Sequence, residues 1–170
     1  MLIYYKDERI VKLMNDMERL VKILVEKGKT ISSMESCTGG GFANAVTNIT
    51  GASDVLKFSA VTYSNEFKIK MGVDSDIIDK YSVYSIETAK SMSKNISDFT
   101  NSNYGVGITG KINRVDKNNM YGEDNMIFVS IYDRDMDKYY TMSIEAVDGS
   151  RKENKDIIIK NIILLLLGII

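Results

Sequence analysis

The chain contains no histidine at all. That excludes every Ser-His and Cys-His catalytic pair within it, and every metal site that needs an imidazole. It contains a single cysteine, Cys37. An internal disulfide and a thiolate metal cluster are therefore both ruled out, and a reducing, cytoplasmic setting is the expectation. Any metal would have to be held by carboxylates, carbonyls and water. Nucleophilic chemistry, if present, must take its base from Lys, Tyr, Asp or Glu. Proline is missing too, and nothing in the sequence ties that absence to function. There is no excess of charge of either sign: the formal net charge is -1, so bulk electrostatics suggest neither a nucleic-acid nor a membrane partner. Nor is there an uninterrupted apolar run long enough to span a bilayer. The most apolar stretch, 156–170, is broken by Lys160 and Asn161 and falls short of the ~20 residues a spanning helix needs. It reads as a buried terminal helix or an oligomer contact. Charges interrupt the first dozen residues, which therefore lack the core of a secretory signal.

What remains is an ordinary globular composition, 44% hydrophobic and 26% charged over 170 residues, enough for one domain with its own core. No linker or repeat divides it. Apolar residues at Ile10, Leu13, Met14, Met17, Leu20, Val21 and Leu24 have helical spacing, predicting a helix from about Asp7 to Lys27 that Gly28 stops. Strands are expected over 30–34, 55–63, 104–108, 127–132 and 138–144, the last two as a hairpin through the acidic turn 133–137. Helices are expected over 42–49, 65–71, from the N-cap Ser85 to about Phe99, and 151–167; 111–124 reads as a polar loop. Alternating strands and helices with a terminal hairpin predict an α/β fold, a three-layer α/β/α sandwich around a mixed, mostly parallel sheet.

The sharpest local signal is the strand that runs into Glu35-Ser36-Cys37-Thr38-Gly39-Gly40-Gly41 and then a helix. Ligands bind at such carboxyl strand ends, where glycines admit close backbone approach and a helix N-terminus offers N–H groups. Ser36 is a candidate nucleophile there, with Lys68 a candidate base and nearby N–H groups a candidate oxyanion hole. Residue pattern alone is more often an ordinary cap and tight turn than a catalytic site. Cys37 is a rival nucleophile but has no histidine to activate it. Two further matches are decoys: Ser91-Met92-Ser93-Lys94 has the Ser-x-x-Lys pattern but falls mid-helix, and 133–137 lacks the Gly and terminal Glu of a calcium loop.

The run at Ser36, followed by Thr62-Tyr63-Ser64-Asn65-Glu66-Phe67-Lys68 with Met71-Gly72-Val73 behind it, resembles the C-terminal domain of the CinA (competence/damage-inducible) family. Val83-Tyr84-Ser85-Ile86-Glu87-Thr88-Ala89, the strand ending in Thr109-Gly110, and Gly149-Ser150-Arg151 extend the resemblance over nearly all of residues 1–170 as a single domain. Standalone members are nicotinamide mononucleotide deamidases. The resemblance implies Ser36 as nucleophile, Lys68 as general base and Tyr63 as an ordering residue. Thr38, Gly39, Gly40, Asn65, Thr109 and Arg151 would surround the substrate, and Arg151, with Lys155, would neutralise a nucleotide phosphate. It implies no metal or other cofactor and a small-molecule nucleotide as partner; the apolar C-terminal helix adds a homo-oligomer as a further expectation. The amino-terminal domain of longer CinA proteins is not expected.

One segment departs from the family pattern. Where members continue Thr-Gly with Ile-Ala-Gly-Pro, this chain has Thr109-Gly110-Lys111-Ile112-Asn113, and Ile127-Phe128 stands where a small pair should line the site. Two function classes follow: an amidohydrolase acting on a pyridine mononucleotide or a related amide, or a catalytically silent binding module in competence or DNA-damage physiology.

Overall fold

The structure, a computed structural model, describes residues 8–113, 117 and 119–170. Asp7, where the first helical pattern starts, lies outside the described residues. So do the side chains of Ile10, Leu13 and Met14, and positions 114–116 and 118 of the polar loop. The element order is α1 (Glu8–Glu26), β1 (Ile31–Glu35), α2 (Gly41–Thr47), α3 (Ala52–Val55), β2 (Leu56–Val61), α4 (Asn65–Lys70), α5 (Ser75–Tyr81), α6 (Ile86–Thr100), β3 (Tyr104–Gly110), β4 (Met126–Asp133), β5 (Lys138–Glu145) and α7 (Arg151–Ile169).

The five strands form one sheet in the order β2-β1-β3-β4-β5. β1 pairs in parallel with both β2 and β3, whereas β4 runs antiparallel to β3 and to β5. Four strands thus point one way and β4 alone is reversed. Alternation along each strand sends side chains to two helical layers. Ile31 of β1, Val106 and Ile108 of β3, and Ile127, Val129 and Ile131 of β4 join a core with Leu20 and Leu24 of α1, Phe42 and Val46 of α2, and Ile158, Ile162 and Leu166 of α7. On the other face Met34 meets Met92 and Ile96 of α6. The C-terminal apolar run is therefore a core helix, and no helix among the described residues is long and apolar enough to cross a membrane.

The contact of α6 with the sheet is very close. A Cβ on Gly105 would lie 2.0 Å from the Ser93 carbonyl oxygen, and one on Gly107 would lie 2.3 Å from that of Ala89. Only glycine lets the two backbones approach so nearly. Each helix end is fixed locally. Ser85 accepts from Thr88 N to open α6. Ser150 and Glu153 form a reciprocal capping box at the start of α7. Because β4 is reversed, its first residues sit beside the end of β3, with Ile127 opposite Gly110. The ends of β1, β2, β3 and β5 and the starts of α2, α6 and α7 consequently gather at one rim.

Candidate active site

The register Glu35↔Val61 places the residues that follow each strand, Ser36 and Thr62, side by side at that rim. After Thr62 the chain turns, Ser64 caps α4 by accepting from Phe67 N, and one helical turn carries Lys68 back beneath Ser36. Lys68 is almost wholly buried. Its Nζ donates to Ser36 Oγ at 3.1 Å and to the Thr62 carbonyl at 2.7 Å. Two residues 32 positions apart thereby form one hydrogen-bonded unit.

The turn carrying Ser36 is held by Glu35. Its carboxylate is fully buried and accepts from Thr38 Oγ1 at 2.7 Å, Phe42 N at 3.1 Å, Ala43 N at 2.9 Å and Ser33 Oγ at 3.2 Å. A carboxylate here satisfies the otherwise unpaired N–H groups of the first turn of α2 and complements its dipole. Those N–H groups, expected to face a ligand, are therefore taken up internally. Gly39 (φ 62°) and Gly40 (φ 88°) are both left-handed, which lets the chain reverse from strand into helix within four residues.

A cavity of about 840 Å³ opens above Ser36. Tyr63, Asn65 and Arg151 all line it. Arg151 reaches across the rim, donating to the Ile112 carbonyl and, at 3.4 Å, to Tyr63 Oη. Other expected contacts lie elsewhere. Thr38 turns its hydroxyl inward to Glu35. Thr109 faces the α6 layer and donates to the Val83 carbonyl. Gly39 and Gly40 shape the turn, and the position a Cβ would take at Gly39 lies near Lys155 Nζ, so these four residues and Lys155 support the rim rather than line the cavity. Ile127 and Phe128 do not line it either: Ile127 belongs to the core, and Phe128 pairs with Thr109 in the sheet.

The cavity has walls that sequence reasoning missed: Tyr84, Lys111, Lys117 and Asn119. Tyr84 lies in the run before α6, and the other three lie in the polar loop 111–124. Among the described residues, the lining includes three cations, Lys111, Lys117 and Arg151, and no carboxylate, in a chain whose overall charge is slightly negative. Cys37 is poorly suited to act as the nucleophile. Burial pushes its thiol up to about 12, although Lys68 and Arg151 pull the other way, so it stays protonated. The decoys resolve as well. Lys94 pairs with Asp98 on the surface of α6, which holds its ammonium above the usual range, and Asp133 caps its own turn by accepting from Asp135 N and Met136 N. Among the described residues there is no cluster of Cys, Asp or Glu able to hold a metal.

A mixed five-stranded sheet between helical layers, with a buried Ser–Lys pair beneath a cavity at one rim, defines an α/β sandwich domain. The chain belongs to the CinA C-terminal domain family, whose model matches residues 14–167. A Clostridium kluyveri protein named as competence-damage inducible is 45% identical over 94 residues, 55% of this chain and 23% of that protein. The CinA-like protein of Endomicrobium trichonymphae is 42% identical over 90 residues, 52% of this chain and 21% of its own length. The matched segment thus spans under a quarter of these curated relatives. Among solved structures, the competence/damage inducible protein CihA of Agrobacterium tumefaciens superposes with a TM-score of 0.83 at 23% identity, covering 99% of this chain and 98% of its own. A CinA superfamily protein of Escherichia coli gives 0.82 at 18% identity, covering 100% and 96%. These likenesses establish the fold.

Proposed function

We propose that this domain is an amidohydrolase that converts nicotinamide mononucleotide to nicotinate mononucleotide and ammonia. The observation that carries the reading is the 3.1 Å contact between Lys68 Nζ and Ser36 Oγ in a chain without imidazole. With Lys68 as the neutral amine, the same contact serves proton transfer from the hydroxyl. Ser36 Oγ attacks the carboxamide carbon, and the Cys37 backbone N–H, next in sequence to the nucleophile, serves as a donor to the oxyanion. Collapse breaks the C–N bond as the Lys68 ammonium returns the proton to the departing nitrogen, releasing ammonia and leaving an acyl ester on Ser36. Water, deprotonated by Lys68, then adds to that ester. Collapse frees the carboxylic acid and returns the proton to Ser36.

Arg151 and Lys117 supply positive charge for the phosphate, while Tyr63 and Tyr84 offer ring faces for a pyridinium. The test is release of ammonia from nicotinamide mononucleotide by the purified protein. Ser36→Ala and Lys68→Ala should each lower kcat by at least about 1000-fold. The altered wall formed by Lys111 favours a second reading, a silent binding domain. No turnover of this substrate or of close amide analogues by the parent protein would select it.

A further inference from the structure

Lys111 stands at the point where β3 leaves the sheet and the chain enters the segment that forms the far wall of the cavity. Its side chain is 1% exposed, although its partner Asp124 is 59% exposed. Nζ donates to Asp124 Oδ1 at 3.0 Å and to the Gly122 carbonyl at 3.2 Å, and it lies 5.2 Å from the centre of the Tyr84 ring. An ammonium has three donors and no acceptor. Here two are spent on the 122–124 stretch, and the cation faces a ring that itself lines the cavity. A buried charge is tolerated only while it stays paired, so this lysine holds its partners in place rather than waiting for a ligand.

The same segment is tied at two other points. Ser82 Oγ donates to the Tyr121 carbonyl at 3.1 Å, and Asn65 Nδ2 donates to Asn119 Oδ1 at 2.8 Å. The Asn65–Asn119 bond joins the wall to α4, the helix that carries Lys68. Residues 119–124 therefore form a strap pinned to α4, to the turn before α6 and to the end of β3. Lys111 is its one buried cationic anchor among the described residues.

We propose that Lys111 is a positioning residue that sets the placement of residues 119–124, and through it the fit of the substrate, without taking part in bond making. The kinetic half of this proposal rests on the hydrolase reading; the structural half does not. The experiment compares the full-length protein with Lys111→Met, Asp124→Asn and Lys111→Arg. Two quantities are read, backbone hydrogen–deuterium exchange across 119–124 and steady-state kinetics with nicotinamide mononucleotide.

Loss of one charged hydrogen bond is expected to raise KM roughly tenfold in Lys111→Met and Asp124→Asn, with kcat altered by less than about twofold and with faster exchange at 119–124. Lys111→Arg restores both. Exchange equal to that of the parent in both Lys111→Met and Asp124→Asn would overturn the proposal. So would kcat and kcat/KM falling together, which would put Lys111 in the chemistry. If the parent shows no turnover, the hydrolase reading fails separately and the exchange data alone decide. Asp124→Asn keeps the buried lysine in place, so the test survives if Lys111→Met fails to fold.

Discussion

At the scale of the residue, Glu35 has the most decisive surroundings after the Ser36–Lys68 pair. Its carboxylate collects two backbone N–H groups of α2 and two hydroxyls. An amide in its place would turn an NH₂ group toward donors. Glu35→Gln is expected to cost about 2 kcal/mol of stability, since hydrogen bonds to a charged acceptor are worth more than neutral ones. It should also depress kcat by letting Ser36 drift; urea unfolding and the ammonia assay measure the two effects. Cys37 leads to the opposite expectation. With its thiol near 12, iodoacetamide at pH 8 should leave both the residue and the activity intact, and Cys37→Ala should keep turnover within about threefold. The sequence made Ser36 and Lys68 visible as candidates, but their meeting depends on β1 and β2 being neighbours, which no local pattern encodes. That Thr38 and Thr109 turn away from the cavity was hidden for a related reason. A residue in a binding motif can serve the motif's own scaffold, and only the side-chain direction tells the difference.

Among the elements, the periodic ones were legible: α1, α6, α7 and all five strands follow from apolar spacing and capping residues. α3, a single turn at Ala52–Val55, and α5, Ser75–Tyr81, were not. Neither is long enough to show a repeated apolar stripe. α5 is defined instead by the Asp74 side chain accepting from Asp76 N, a cap that also fits a plain turn. The packing of α6 against β3 was equally hidden, because glycine in a strand reads as weakness until a helix is found lying on it. Gly107→Ala would press a methyl into the Ala89 carbonyl. Backbone cannot yield there as a side-chain tip would, so a loss of at least about 3 kcal/mol or outright failure to fold is expected, read by urea denaturation and soluble yield.

On the scale of the whole molecule, the end of the sheet opposite the cavity is tied by Asp135. It accepts from Lys29 Nζ at 2.8 Å and from Asn103 Nδ2, linking the β4–β5 turn to the approaches of β1 and β3. Lys29 chiefly, and Asn103 as well, hold the Asp135 carboxyl below its ordinary value of 3.8. A depressed carboxylate stabilises the fold above that ordinary value, and the contribution fades as pH drops through the lower folded one. Asp135→Asn should therefore melt lower than the parent at pH 7, by a small margin because the pair is half exposed. The two melting curves should converge as the solution is made strongly acid.

The reversal of β4 has a consequence for how such a domain can change its habits. Since β4 begins where β3 ends, the chain leaves the sheet and re-enters it at the same end, Gly110 beside Ile127. Its length and chemistry can be rewritten while the hydroxyl and the amine, fixed by two other strands, keep their distance. Selection can thus retune what the pocket admits one surface segment at a time, with the reactive pair left as a constant.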